Sequence, residues 1–356
     1  MNITITEAHD QIVWEKFIDS HAVTTFMQSW AWGEFEHGCG HQVYRFAILD
    51  DDRIIALVQT ILIQSKRGTF LFIPHGPIVD STILPSTSWL DPSKLANLAV
   101  VEEIIITMTS FLRNFAQHKG CSFIRLNSSL PNNEQLLKLL HGIGYRQAPI
   151  YLTSENGAVL SLHNKTETEL LSQMRKTTRY LIHKAQKADI HITVDNKGTT
   201  IKDFMDLYSA TTIRERFVGF NEEYIIKEFE AFQKYDNASI VTVYQDQLPL
   251  ASAIILFTKN AAFYHQGASN HPKVPAPYIL QWKALQLAIE RHCLYYNFWG
   301  TYIPNRTPKS WEGLSLFKYG FGSVSWQYLP THDLILKPSY YLTNLYEHYI
   351  RLKRGI

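Results

Sequence analysis

Two blocks of the chain repeat one pattern of apolar and polar positions. In the first half, Val43–Asp50, Ile54–Ile63 and Thr69–Gly76 are strand-like runs, the first two joined by a polar turn at Asp50, Asp51, Asp52 and Arg53. In the second half, Ser239–Gln245, Leu250–Phe257 and Ala261–Gly267 follow the same order, with a turn at Asp246-Gln247 and a glycine again closing the third run. Helical periodicity surrounds both blocks and predicts helices over Trp14–Phe35, Leu95–His118, Glu134–Gly142, Glu167–Ala188, Ile201–Thr212, Glu222–Tyr235, Tyr278–His292 and Leu336–Lys353. After each block a helix leads to one more strand, Ser122–Leu126 and Tyr295–Trp299.

That order predicts mixed α/β domains with largely antiparallel sheets flanked by helices. It resembles the GNAT type of acyltransferase, present twice. The expected division is a first domain over 1–155 and a second over 156–330, with the C-terminal segment 331–356 packing back on the first. A chain of 356 residues exceeds one comfortable core, which agrees with two.

Composition changes this picture little. Apolar residues make up 46% and charged residues 19%, as in an ordinary globular protein, and a net charge of +2 means that any phosphate-rich partner must be held by a local cluster. Cys39, Cys121 and Cys293 are far apart, and the 15 histidines are scattered, so neither a disulfide framework nor a metal site is expected. The start carries Glu7, Asp10 and Glu15 where a secretion signal would be basic and apolar, and the best apolar run, Leu248–Phe257, is interrupted by Pro249 and Ser252. The expected location is the cytoplasm.

Candidate chemistry begins with Lys318, set among glycines and aromatics in Trp311–Gly322, where backbone can approach a ligand and a desolvated ammonium can meet developing negative charge. An outward lysine on an ordinary turn is the plainer reading. Between Glu169 and Asp189 the chain has no acid but carries Arg175, Lys176, Arg179, Lys184 and Lys187; Arg175, Arg179, His183 and Lys187 recur every four residues and form one stripe, either a phosphate-binding face or a solvated one. The turn Ile73–Asp80, stiffened by Pro74 and Pro77, presents His75 and Asp80, which could orient or deprotonate an amine or serve only as punctuation. Trp30 and Trp32 share a face if extended and lie about 200° apart if helical, one then being core and the other free to line a cleft. The chain has no G-x-S-x-G, no H-E-x-x-H, no P-loop and no complete pyrophosphate loop of the acetyl-CoA enzymes.

Taken together, F-M-Q-S-W-A-W-G-E-F, I-P-H-G-P-I-V-D, M-R-K-T-T-R-Y-L-I-H-K-A, Y-H-Q-G-A-S, A-P-Y-I-L-Q-W, Y-N-F-W-G and W-E-G-L-S-L-F-K-Y-G-F-G resemble, in order and spacing, the Fem family of peptidoglycan interpeptide-bridge aminoacyltransferases. The resemblance implies two GNAT-like domains and transfer of an amino acid from aminoacyl-tRNA to the stem-peptide amine of a peptidoglycan precursor. It makes Lys318 the catalytic lysine that stabilises the oxyanion and Asp80 the acid that assists the amine. Phe317, Tyr224, Tyr264, His75 and Trp32 become substrate contacts, and the basic residues 175–187 a tRNA site. Glu36 and Phe220 stand where some members place basic residues that grip the precursor's diphosphate, and no heptad run supplies the helical arm of longer members.

The implied partners are aminoacyl-tRNA, a UDP-linked or lipid-linked precursor and a peripheral membrane contact, with no cofactor and no metal. Two other readings remain open on the residues alone. One is a CoA-dependent N-acyltransferase, disfavoured by the missing pyrophosphate loop; the other is a non-catalytic tRNA-binding module, for which the basic stripe would suffice.

Overall fold

The computed structural model describes the whole chain except residues 1, 22–24, 66–67, 86–87, 89–90, 92–94, 96, 216, 271–272 and 355. It forms two compact units: residues 1–157, 300–312 and 326–356, and residues 158–299 and 313–325. The division is not linear, because the segment that ends the second unit's last strand returns to the first.

The first unit runs β1 (Ile3–Glu7), α1 (Gln11–His21), α2 (Trp30–Gly38), β2 (Gln42–Asp50), β3 (Arg53–Ser65), β4 (Gly68–Pro74), β5 (Ile78–Val79), α3 (Leu98–His118), β6 (Phe123–Asn127), α4 (Glu134–Gly142) and β7 (Tyr145–Gln147). The second runs β8 (Asn156–Ser161), α5 (Glu167–Gln173), α6 (Lys176–Gln186), β9 (His191–Asp195), α7 (Ile201–Glu215), α8 (Glu222–Gln233), β10 (Ala238–Gln245), β11 (Leu248–Phe257), β12 (Ala261–Ser269), α9 (Ala276–Glu290), β13 (Tyr295–Gly300) and α10 (Trp311–Tyr319). The chain closes with β14 (Val324–Gln327), β15 (His332–Ile335) and α11 (Tyr340–Lys353).

Both sheets carry the same motif. One has the order β1-β2-β3-β4-β6-β15-β7 with β5 beside β3, and the other the order β14-β8-β13-β12-β11-β10-β9. In each, a three-stranded antiparallel meander is followed by a helix and a strand parallel to the third: β6 beside β4, and β13 beside β12. The two parallel seams differ. That of β4 and β6 holds five paired positions, Phe70–Pro74 against Phe123–Asn127. The ladder between β12 and β13 covers Ala261–Phe263 against Tyr295–Asn297, although β12 runs on to Ser269. Just past that ladder β12 bulges, since Ile254 faces Gln266 and Ile255 faces Tyr264, leaving His265 as the extra residue.

Helix ends follow local chemistry. Ser29, Asn133 and Asn221 cap α2, α4 and α8, and Thr166 with Glu169 forms a capping box on α5. On α3, Val101, Ile104, Ile105, Met108 and Leu112 recur at helical spacing and are buried. Two predicted helices prove to be pairs. The span Trp14–Phe35 is interrupted between α1 and α2, where the buried Gln28 side chain holds the Gln59 backbone by its amide and the Pro74 carbonyl. The span Glu167–Ala188 breaks at Met174 and Arg175, both extended.

A buried ionic cluster fastens α11 to the first unit. Arg125 on β6 makes two bonds of 2.8 Å to Asp333 on β15 and bonds of 2.8 and 2.7 Å to Glu347 on α11, while the Tyr340 hydroxyl donates to Asp333 at 3.0 Å. Such bidentate geometry is what makes a buried guanidinium tolerable.

Candidate active site

Lys318 lies in the last turn of α10, and only 5% of it is exposed. The helix turns two polar side chains inward, Ser315 and Lys318, one turn apart, while Leu314 and Leu316 face outward. The Lys318 ammonium sits 5.9 Å from the centre of the Tyr264 ring on β12. Burial pulls its pKa from the ordinary lysine value down to about 7, so near neutrality it is poised between ammonium and amine. Burial also pushes the Tyr264 hydroxyl up to about 12 and keeps it protonated.

The surroundings of this lysine are built from aromatics and glycines. Phe317 meets Tyr278 at 5.0 Å and Phe321 at 5.3 Å, edge to face, and these rings pack on the core between the sheet and α6 and α9. Tyr264 folds along its own strand so closely that a Cβ on Gly267 would lie 1.9 Å from its hydroxyl, which restricts position 267 to glycine. Beyond α10 the chain turns through Gly320 and Gly322, the latter at φ +85°. A side chain at either would strike the α5–α6 junction, at Thr178 Oγ1 (2.6 Å) or the Gln173 carbonyl oxygen (3.1 Å). The Lys318 carbonyl accepts from Phe321 N–H and from the Ser323 hydroxyl, closing the turn.

The same junction carries the basic segment. Arg175 N–H donates to the Gly320 carbonyl at 2.8 Å. Arg179 bends back, and its guanidinium donates to the carbonyls of Ser172 (3.1 Å) and Met174 at the end of α5. Arg179 is therefore a C-terminal cap for α5 and half-buried, whereas Arg175, Lys176, Lys184 and Lys187 are exposed. The stripe of four-residue spacing is thus divided by function: its second member is spent on the helix break.

On the opposite face of the β12 strand lies a cluster that the sequence did not single out. Phe263 and His265 each meet Trp299 edge-on at 6.0 Å, and His265 Nε2 lies 2.8 Å from Glu228 on α8, which is fully buried. The other Glu228 oxygen, Oε2, has no hydrogen-bond partner among the described residues. Tyr224, one turn before Glu228 on α8, is half-buried and stacks on Phe220 at 4.4 Å. In the sequence, His265 and Trp299 stood inside the Y-H-Q-G-A-S and Y-N-F-W-G motifs, and Tyr224 and Glu228 were spaced to share one helix face, but no signal joined the three segments.

In the first unit, His75 has no exposed surface and takes φ +51° at the end of β4. Its Nε2 lies 2.9 Å from the Ser154 carbonyl and 3.0 Å from the Thr153 hydroxyl, and burial drops its pKa to about 4, so it is neutral and ties the β4 turn to residues 153 and 154. Asp80 is 4% exposed. Burial works to raise its pKa, but the Thr82 N–H and hydroxyl, each at 2.8 Å, and the Arg53 guanidinium hold it below the ordinary carboxylate value. Trp32, 3% exposed, packs between Phe26 and Phe35 in the core, while Trp30 on the same helix is stacked under Arg45 at 3.6 Å.

Comparison with known proteins identifies the class. The sequence profile of the FemAB family matches residues 10–244 and 226–348, nearly the whole chain. The chain belongs to the FemAB family, whose members are transferases acting on peptidoglycan precursors. Among solved structures, FemX superposes with a TM-score of 0.78 at 16% identity, covering 98% of this chain and 100% of FemX. L-PGS from Bacillus licheniformis follows at 0.55 and 14%, covering 98% of each chain, and a tandem GNAT protein from the clavulanic acid biosynthesis pathway at 0.52 and 8%, covering 95% of this chain and 99% of that one. At these identities the likeness concerns the fold, which is the doubled GNAT-like arrangement. No curated protein matches in sequence.

Proposed function

We propose that this protein moves an amino acid from aminoacyl-tRNA to the stem-peptide amine of a peptidoglycan precursor, in the cytoplasm where charged tRNA resides. The observation that carries the reading is Lys318, a buried lysine poised near neutrality beneath Tyr264 in a chain of the FemAB family.

The acceptor nitrogen attacks the ester carbonyl carbon, the C–N bond forms, and the carbonyl oxygen takes up negative charge. As the tetrahedral species collapses, the C–O bond to the ribose breaks, the amine loses its proton and the ribose hydroxyl gains one. Lys318 in its ammonium form donates to the oxyanion, an interaction strongest in the transition state and strengthened by a dry site. Phe317 and Tyr264 shape the walls around it, and Tyr224 extends the aromatic surface available to the precursor.

Asp80, held anionic, suits orienting an acceptor ammonium better than taking its proton at neutral pH. The exposed cations Arg175, Lys176, Lys184 and Lys187 supply the tRNA contact. Incubation with a mixture of charged tRNAs and purified UDP-linked or lipid-linked precursor, read by mass spectrometry, tests the reading. A mass increase of one amino-acid residue that disappears in Lys318→Met is the expected result; no increase with any charged tRNA would overturn it.

A further inference from the structure

Helix α11 is built inside out. Its buried positions are Tyr340, Thr343 and Glu347, all able to hydrogen-bond, and they dock on the Arg125 cluster. Its exposed positions include Tyr341, Leu342, Leu345, Tyr346, Tyr349 and Leu352, with Leu342 75% and Leu352 78% exposed. At about 100° per residue these six fall within an arc of about 140°, directly opposite the buried three. No other helix among the described residues exposes as many large apolar side chains. Burial in the first unit cannot be what this arc is for, since the helix is already held by its other face.

Charge selects the occupant. From Lys337 to Ile356 the one acidic side chain is Glu347, which is buried on Arg125, so tyrosines aside the exposed ionisable side chains of the segment are basic or histidine: Lys337, His348, Lys353 and Arg354. On the same projection Lys353 falls inside the apolar arc between Leu342 and Tyr346, His348 lies just beyond Tyr341, and Arg354 is the residue that ends the helix. A protein partner would ordinarily meet a rim of mixed sign. Leucines interleaved with tyrosines, with Lys353 among them and no exposed acid on the segment, match an anionic lipid interface, where apolar side chains enter the acyl boundary, tyrosines sit at headgroup level and lysines reach the phosphates. No helix among the described residues is long and apolar enough to cross a membrane, so such attachment is peripheral.

We infer that the outer face of α11 is a docking surface for an anionic lipid bilayer. The inference concerns the surface alone and holds whichever acceptor the enzyme uses.

The test is co-sedimentation of the full chain with vesicles of equal parts phosphatidylglycerol and phosphatidylcholine, and with phosphatidylcholine vesicles. The wild type is expected to bind the anionic vesicles in a salt-sensitive way. The triple variant Leu342→Gln, Leu345→Gln, Leu352→Gln should lose at least about tenfold in partition, because binding scales with buried apolar area. The pair Lys353→Gln, Arg354→Gln should bind anionic vesicles less and narrow the difference between the two lipids. All five positions are exposed, and an unchanged melting curve and circular dichroism establish that the variants fold. Absence of wild-type binding, or equal binding by the triple variant, overturns the inference. So does a wild-type dimer that the triple variant abolishes without change in vesicle binding, which would assign the arc to a second copy. Loss of tRNA affinity in the lysine–arginine pair, with vesicle binding unchanged, would assign the basic end to tRNA.

Discussion

The backbone N–H of Arg175 donates to the carbonyl of Gly320, two residues beyond Lys318. Segments about 145 residues apart in sequence thereby share one junction: the break between α5 and α6 receives the glycine turn that ends α10. The break is itself stabilised by Arg179, whose guanidinium covers the last carbonyls of α5. The basic segment is thus part of the structure that holds the lysine in place, and the two motifs depend on each other physically.

Adding a methyl group at this junction should be costly. Gly322→Ala places a side chain at φ +85° and 3.1 Å from the Gln173 carbonyl, so a loss of about 1–3 kcal/mol is expected in urea unfolding. Transfer should fall with it because Lys318 is displaced. Wild-type stability in this variant would mean that the α5–α6 junction yields without effort.

Replacing Lys318 should separate activity from stability. Lys318→Met is expected to lower turnover by at least about 10² to 10³. It should also stabilise the fold near pH 6. The folded pKa of about 7 lies below the ordinary 10.5, so the unfolded chain binds the extra proton, and the wild type is penalised fully below pH 7 and progressively less as pH rises toward 10.5. A stabilisation on the order of a few kcal/mol at pH 6 that fades toward pH 10 is the expected outcome, measured by denaturant unfolding. A variant that is less stable than wild type at pH 6 would show that the ammonium is well accommodated.

The pH dependence of transfer tests which form of Lys318 acts. An ammonium donor predicts a rate that rises up to about pH 7, levels off between pH 7 and the acceptor amine's own higher pKa, where loss of the Lys318 proton offsets the gain in neutral acceptor, and descends above that pKa. The descending limb should be missing from the residual activity of Lys318→Met. A rate still rising at pH 9 would assign catalysis to the neutral amine.

Asp80→Asn should cost stability at neutral pH, by about 1–3 kcal/mol, because the Thr82 backbone and hydroxyl lose an anionic acceptor. Arg53 is largely exposed and adds little. A carboxylate with a lowered folded pKa contributes stability above its unfolded pKa and loses it as pH falls through the folded value. The acid limb of the stability curve should therefore be shallower in the variant. If turnover falls much further than stability explains, Asp80 also orients the acceptor.

Legibility in the sequence followed locality. The two meanders were readable because alternation, short polar turns and closing glycines are all short-range signals, and α4 was predicted to the residue by its period. The break at Met174 and Arg175 was not readable, because no proline or glycine marks it; a distant carbonyl, that of Gly320, and the bent-back Arg179 create it. Helix α10 was hidden for a different reason. Gly313 and a run of aromatics weaken its helical signal, and its buried face is polar, so hydrophobic periodicity points the wrong way. Glu228 and His265 come together only through the bulge in β12 and the packing of α8, neither of which a single strand or helix announces.

The basic segment yields the most discriminating prediction. Replacing Arg175, Lys176, Lys184 and Lys187 with Gln should weaken tRNA binding and flatten its salt dependence by about 0.7 to 0.9 in log-log slope for every phosphate no longer neutralised. These four are exposed, glutamine is about as good a helix former, and the Arg175 contribution to the junction comes from its backbone, so stability should hold. Arg179→Gln should behave in the opposite manner. Its guanidinium caps α5, so its loss is expected to cost roughly 1–3 kcal/mol of stability while removing little of the salt slope. Filter binding across a salt series, paired with thermal unfolding, separates the two classes. Equal tRNA affinity and slope in the fourfold variant would make the exposed face merely solvated, and an Arg179→Gln protein of wild-type stability with a reduced slope would return that residue to the tRNA-binding set.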